Sequence, residues 1–522
     1  MRIEDFPIEL SPLPGAMPVW RGTVDSEQWR ALAQQVRGKG GRIVALWGSD
    51  QTDRGQGFEA HMALTVQSGL VWLTLRLAAD YPEFPDVSSI FPAANRMQRA
   101  LFDLLGARAV AASDNRQWLR HAAWPAQEFP LRKAFDANRP LPGGAAASPG
   151  PVDNYPFVRV NGDGVHEIPV GPVHAGTIEP GHFRFSVVGE RVLRLEERLG
   201  YTHKGVEKRF EAMHVLDGVR LAGRVSGDST VAYAWAYCMA AEGAAFFTPP
   251  DRAQWLRALL LERERIANHL GDLGFIGNDA GLNFGLAQFS RLKEEVLRVN
   301  RALFGHRYLM DAIVPGGVAR DLERKSAEAL RVQVGTLRAE VQQLKIVYDE
   351  HPGLQDRFIG AGRVAPELAD QLGLCGLAGR ASGASWDLRV QFPSMPYDSL
   401  DVRMATHRNG DVAARVTMRF EEVLESLDLC ASILERLPRG DIRGDIPVAL
   451  DNSCGLGWVE GWRGEVLIAL EAGPNGSLRR VHAHDPSWQN WPVLEHAVMG
   501  NIVPDFPLIN KSFNLTYSGV DL

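Results

Sequence analysis

Two pairs of side chains stand four positions apart in this chain, His203 with Glu207 and Asp411 with Arg415. That separation brings residues together on one face of a helix. An imidazole beside a carboxylate can accept and pass a proton near neutral pH, or it can simply be a structural pair. A carboxylate beside a guanidinium is either an internal ion pair or part of a charged cavity wall. His174 and His182 precede or enter a strand-like run in an apolar loop, where an imidazole either hydrogen-bonds a ligand or is a satisfied structural group. Asp228 adds a carboxylate within Arg224-Val225-Ser226-Gly227-Asp228-Ser229. The four cysteines, Cys238, Cys375, Cys430 and Cys454, are too widely spaced for a zinc ribbon or an iron–sulfur ligand run and read as buried thiols.

The chain that must position these groups has 522 residues, 45% of them apolar, enough for two or three domains. Its 56 basic and 63 acidic residues give a net charge of -7, without the basic excess that phosphate backbones demand, so nucleic acid is not an expected partner. Glu4 and Asp5 stand where an export signal would carry basic residues, and a cytoplasmic location is expected. The apolar run Val231 to Ala241 falls short of the roughly 18–20 residues that cross a bilayer as a helix. Membrane association is therefore expected through partner subunits. No GxGxxG follows a strand, so no nicotinamide site is expected.

Asn138 to Pro151 reads NRPLPGGAAASPGP, a linker composition that separates residues 1–137 from 152–522. The first part is read as a small α+β domain. A helix begins near Asp25 and Ser26, and strands are expected at Arg42 to Trp47, Glu59 to Val66 and Leu70 to Leu77. The second part is read as mainly α-helical after a small hairpin formed by His182 to Val187 and Val192 to Leu195. Helices are expected from Pro249-Pro250-Asp251 onward, through Leu330, Val334, Leu337, Val341, Leu344 and Tyr348, and from about Asp411 to Leu437. A further helix carries Met97, Leu101 and Leu104 on one side, either as core or as a docking face.

Tyr81-Pro82-Glu83-Phe84-Pro85, the stretch Ile90 to Gly106 and Pro130-Leu131-Arg132-Lys133-Ala134-Phe135 resemble the complex I 30-kilodalton-type subunit. Gly171-Pro172-Val173-His174, Glu179 to Arg184 and Tyr201-Thr202-His203-Lys204-Gly205-Val206-Glu207-Lys208 resemble its 49-kilodalton-type subunit and, more closely, the large subunit of group 4 nickel–iron hydrogenases of the formate hydrogenlyase and hydrogenase-4 type. His484 to Pro492 and Asp505 to Phe513 continue the match, and Gly410 to Arg415 resembles the family's GDxxxR motif. The resemblance implies an oxidoreductase subunit peripheral on the cytoplasmic face of the inner membrane. It also implies two kinds of partner: a small iron–sulfur subunit, which carries the cluster, and ion-translocating membrane subunits.

In the hydrogenases of this family two CxxC pairs hold nickel and iron. Ser226 and Ser229 align with the early pair, Thr516 and Gly519 with the late one. Hydroxyls are hard, weakly acidic ligands where the centre needs soft thiolates, so no nickel–iron centre is expected and no cofactor bound by this chain is foreseen. Metal-binding relatives carry an extension cleaved after metal insertion; with Leu522 three residues past Gly519, no such processing is expected. Complex I relatives instead use the cavity for quinone, with a histidine, here His174 or His182, and a tyrosine, whose place falls on Gly227. Two readings stay open. One is a redox subunit whose cavity takes quinone or another acceptor, with Asp228, His203, Glu207, Asp411 and Arg415 as proton-transfer or cavity groups. The other is a non-catalytic scaffold that couples electron-transfer modules to an ion-translocating arm.

Overall fold

The computed structural model describes residues 1–121, 124–138, 155–174, 178–448 and 450–522. All of the expected linker except Asn138 lies outside the described residues.

In the first part, strands β1 (Ser11–Leu13), β2 (Val19–Val24), β3 (Arg42–Asp50), β4 (Phe58–Val66) and β5 (Gly69–Leu77) form one sheet in the order β1-β2-β5-β4-β3. Helix α1 (Ser26–Gly38) begins where Asp25 predicts: its carboxylate accepts from Gln28 N at 2.8 Å while the Gln28 side chain accepts from Asp25 N at 3.1 Å. Helix α2 (Ala94–Leu105) buries Met97, Leu101 and Leu104 within the chain itself. Gly48 of β3 admits it, since a Cβ there would stand 2.7 Å from the Leu101 Cδ1 methyl. The apolar side of α2 is therefore core, and the docking alternative falls.

The second part opens with a three-stranded antiparallel sheet of β6 (Val165–Val170), β7 (His182–Val188) and β8 (Arg191–Arg198), the last two being the expected hairpin. After a short helix α3 (Val206–Phe210) come the buried helix α4 (Thr230–Ala244) and three long helices, α5 (Asp251–Asp279), α6 (Asn283–Phe304) and α7 (Arg324–Glu350). Helix α8 (Val412–Arg436) then packs back onto α5 and α7.

A second antiparallel sheet, β9 (Cys454–Glu460), β10 (Glu465–Ala472) and β11 (Leu478–His484), was not part of the helical expectation. Every residue of β10 is buried, so the strand has no polar face and no alternation to read. Gly455 and Gly457 let α4 lie on this sheet: a Cβ on either would stand 1.8 Å from a carbonyl oxygen, of Ala240 and Ala236 respectively.

The sheet also carries the contact between the two parts. Trp47 stacks on His482 with centroids 5.0 Å apart, Arg480 Nε donates to Gly48 O at 2.8 Å, and Gln489 Nε2 donates to Val44 O at 2.6 Å. Helix α9 (Ser487–Val498), helix α10 (Phe506–Phe513) and a last turn α11 (Ser518–Asp521) close the chain over the hairpin sheet and α5. Among the described residues no helix is long and apolar enough to cross a membrane.

Candidate functional site

Ser229 stands immediately before α4, and the preceding loop carries Ser226 and Asp228. The segment between α10 and α11 brings Thr516 against that loop, with Gly519 just inside α11. The fold thus joins positions that lie far apart in sequence. Ser226 Oγ is 3.2 Å from Thr516 Oγ1 and donates to Asp228 Oδ1 at 2.7 Å. Gly519 N donates to Thr516 Oγ1 at 3.1 Å. A Cβ on Gly519 would stand 2.5 Å from Thr516 Cγ2 and 2.9 Å from Asp485 Oδ2, so only glycine fits in this arrangement.

Arg463, from the turn between β9 and β10, reaches into the same place. Its Nη1 and Nη2 donate to Asp228 Oδ1 and Oδ2 at 2.8 and 2.5 Å, Nη1 lies 3.3 Å from Ser229 Oγ, and Nε donates to Asn514 O at 2.5 Å. Burial alone would raise the Asp228 carboxyl, but Arg463 and the Ser226 hydroxyl outweigh it and hold it below the ordinary carboxylate value. Asp485 accepts from Tyr233 O–H at 2.9 Å, and burial raises both groups.

The first amides of α4 are capped from a neighbouring helix. Glu264 of α5 accepts from Val231 N at 2.6 Å and from Ala232 N at 3.2 Å. Burial pushes its carboxyl up to about 8. Asn268, one turn on, donates to Asp228 O at 2.7 Å and fixes the loop. Arg463, Glu264 and Asp485 were missed by sequence reasoning. Two signals were available: Asp485 lies within the His484 to Pro492 motif, and Glu264 is a charge one turn beyond Leu260 in an otherwise apolar stretch of its helix.

The expected pairs come apart. His203 lies ahead of α3, donates through Nδ1 to Asp521 O at 2.7 Å and stacks on Trp124. Glu207, inside α3, instead accepts from His482 Nδ1 at 2.7 Å and pairs with Arg480 at 3.0 Å. Burial opposes its charge, yet Arg480 and His482 hold it at about 2. Gly205 in the left-handed region (φ 66°) separates the two, so they never share a helical turn.

Asp411 and Arg415 do not form the expected ion pair. Asp411 caps α8, accepting from Ala414 N and Gly360 N, both at 2.9 Å. Arg415 donates to Gly410 O at 2.7 Å, Gly362 O at 3.0 Å and Ser512 Oγ at 2.8 Å, and burial lowers it to about 9. Through Ser512 it braces the segment that leads to Thr516.

His174 donates through Nε2 to Gly181 O at 2.8 Å, and His182 through Nδ1 to Gly171 O at 3.4 Å, so both tie their own loop together. The loop meets the site through Glu179, whose Oε2 accepts from Tyr517 N at 3.1 Å and Ser518 N at 3.3 Å. The cleft lined by Gly227, Asp228, Glu264, Asn268, Lys293 and Tyr308 encloses about 10 Å³, at the lower limit for one water molecule. None of the four thiols takes part: Cys238, Cys375 and Cys430 are buried elsewhere, and Cys454 accepts from Arg21 Nη1 at 3.1 Å.

Residues 22–140 match the family model "Respiratory-chain NADH dehydrogenase, 30 Kd subunit", and residues 279–453 match "Respiratory-chain NADH dehydrogenase, 49 Kd subunit". The chain is 32% identical over 490 residues to formate hydrogenlyase subunit 5 of Escherichia coli (strain K12), covering 92% of this chain and 85% of that protein. Hydrogenase-4 component G of the same organism is 30% identical over 485 residues, covering 92% and 84%. The carbon monoxide-induced hydrogenase of Rhodospirillum rubrum is 30% identical over 353 residues, covering 67% and 97%. A chain of the membrane-bound sulfane sulfur reductase, an archaeal respiratory membrane complex, superimposes with a TM-score of 0.65 at 25% identity, over 69% of this chain and 98% of that one.

Proposed function

The chain belongs to the family of hydrogenase large subunits and complex I 49-kilodalton-type subunits fused to a 30-kilodalton-type domain, and from that premise we propose that it is a component of a membrane-associated redox complex. On this reading residues 1–137 and 152–522 are its two domains, joined by the linker. The subunit is held on the cytoplasmic face of the membrane by ion-translocating partners and packs beside a small iron–sulfur subunit that carries the cluster. Support comes from relatives named as parts of formate hydrogenlyase and hydrogenase-4, and from the match to a respiratory membrane complex.

The family implies a nickel–iron centre, and the donors at the aligned positions do not fit one. They are three hydroxyls and a glycine, and the hydroxyls are hydrogen-bonded to each other, to Asp228 or near Arg463. Such oxygens do not replace soft thiolates around a redox-active metal. The observation that carries the functional reading is the Asp228–Arg463 pair, which spans the space between these positions. It favours a coupling subunit that has an ion-paired polar hub at the positions aligned with the metal ligands and joins electron-transfer modules to the membrane arm.

A second reading has quinone or another acceptor react at this hub in the assembled complex. It is favoured by the direct packing of the hairpin loop, through Glu179, on Tyr517 and Ser518.

Purification of the intact complex with nickel, iron and quinone-reduction measurements tests both. The coupling reading expects no stoichiometric nickel and no quinone reduction that depends on this chain. Loss of quinone reduction in His174→Ala or His182→Ala, with assembly intact, would establish the second reading, and stoichiometric nickel would overturn both.

A further inference from the structure

At the contact between the two parts of the chain, three side chains turn one donor atom each toward a common point. Glu59 and His61 lie two residues apart on β4 and face the same side of the sheet, and Glu471 comes from β10 of the other part. His61 Nε2 is 3.7 Å from Glu59 Oε2 and 3.6 Å from Glu471 Oε1. The three donor atoms all lie within 4.8 Å of one another, and all three residues are buried.

We propose that Glu59, His61 and Glu471 form a divalent-cation site, of the zinc class, that clamps the N-terminal sheet to the C-terminal sheet. Zinc takes nitrogen and carboxylate ligands at roughly 2.0–2.2 Å, which places ligand atoms roughly 3.3–3.6 Å apart around a tetrahedral ion. Before any ion enters, the imidazole stands at that separation from Glu471, at 3.6 Å, and just beyond it from Glu59, at 3.7 Å. One imidazole and two carboxylates form a mixed donor set suited to zinc, manganese or iron(II) and too poor in oxygen for calcium.

The charge balance points the same way. Two buried carboxylates share the Gln51 amide, at 2.8 Å from Glu471 Oε2 and 3.4 Å from Glu59 Oε2, and a neutral amide does not compensate them. Three guanidiniums act on them, Arg21 and Arg76 on Glu59 and Arg479 on Glu471, but among the described residues none donates to either carboxylate: Arg21 is directed at Cys454 and the Trp72 ring, and Arg479 at Asp53 and Gln51. Ser49 Oγ lies 2.6 Å from His61 Nε2 and donates to Glu471 Oε1 at 2.5 Å, holding the two donors in register.

Loading shifts one proton. Without an ion, Trp72 Nε1 donates to His61 Nδ1 and the ring proton sits on Nε2, facing Ser49. With the ion on Nε2 the ring proton moves to Nδ1, where Thr74 Oγ1 at 3.1 Å accepts it as an outer partner of the ligand. The Trp72 N–H then loses its acceptor, a cost that sets the affinity below that of a fully preformed centre.

The test uses the full chain, stripped with a chelator, loaded with Zn²⁺ and desalted. One zinc per chain and a higher melting temperature are expected, with affinity weakened more than about tenfold in Glu59→Gln and Glu471→Gln. A folded wild-type chain that retains no zinc overturns the proposal, as does equal retention by both variants. Should a variant fail to fold, X-ray absorption of the zinc-loaded wild type decides: a shell of one nitrogen and otherwise oxygens supports the site, and a sulfur-rich shell overturns it.

Discussion

The guanidinium of Arg463 meets the carboxylate of Asp228 in parallel, Nη1 on Oδ1 at 2.8 Å and Nη2 on Oδ2 at 2.5 Å, between the loop that opens α4 and the segment that closes the chain. Paired forks of this kind are the stronger form of ionic hydrogen bond. Here the pair ties together three segments: the 224–229 loop, the β9–β10 turn and, through Arg463 Nε, Asn514.

Removing one partner should therefore loosen all three segments. Arg463→Met leaves Asp228 without its counter-charge and is expected to cost about 1–3 kcal/mol, less than for a fully buried pair because 37% of the Asp228 side chain is exposed. Asp228→Asn should cost at least as much, since it leaves Arg463, whose side chain is 6% exposed, without its counter-charge. Because the Asp228 carboxyl is held below its ordinary value, the pair stabilises the fold above roughly pH 4 and loses that contribution as pH falls further. Calorimetric melting across pH 3–7 checks the order; equal melting temperatures for wild type and Arg463→Met would remove the hub from the account.

Glu264 predicts the opposite slope. Its folded value of about 8 lies above the roughly 4.3 of an unfolded glutamate, so the folded state holds the proton more tightly between those limits. Its contribution is complete below about pH 4 and is lost as pH rises through 8. Glu264→Gln keeps an acceptor for Val231 N and Ala232 N and should raise stability above pH 8 by on the order of a few kcal/mol. A pH-melting profile for the variant as steep as that of the wild type would refute the assignment.

Gly519→Ala places a methyl against Thr516 Cγ2 and Asp485 Oδ2 and should cost about 1–3 kcal/mol of stability. Thr516→Ser removes Cγ2 while keeping the hydroxyl, so Gly519→Ala should cost less in that background. Additive effects of the two changes would show that the segments do not touch.

Glu207→Gln leaves Arg480 buried without its partner and should destabilise by about 3–5 kcal/mol at neutral pH. Since Glu207 is held at about 2, the wild type keeps this contribution down to about pH 4 and loses it toward pH 2, where the two proteins should converge. Denaturation midpoints at pH 7 and pH 3 provide the comparison.

Much of the fold was legible from β-prone runs bounded by turn residues, from helix-start signals and, in α7, from one wet face. Helix α7 and the helix after Pro250 appear at their expected places, as do the strands around Arg42, Glu59 and Leu70. Strand β10 was not legible because its short apolar run, rich in Leu and Ala, cannot be told by periodicity from a buried helical segment. Within the site, the convergence of Ser226, Ser229, Thr516 and Gly519 followed from motif order. Arg463 was silent because its importance comes from a contact with Asp228 across more than two hundred residues, which spacing cannot encode, and Asp485 stood in a quoted motif without a role assigned to it. The misread pairs have local causes. A left-handed Gly205 breaks the turn that would have joined His203 to Glu207, and Asp411 spends its carboxylate on the amides that open α8.

The glycines of β9 have a mechanical consequence. Where Gly455 and Gly457 receive the carbonyls of Ala240 and Ala236, backbone rests on backbone with no side chain between them to yield. Helix and sheet must then travel as one stiff plate, and β11, on the far edge of that sheet, carries the plate to Trp47 in the first part of the chain. The 224–229 loop ahead of this helix is tied to the same plate, through Arg463 on Asp228, so a displacement at Ser229 is shared with the sheet.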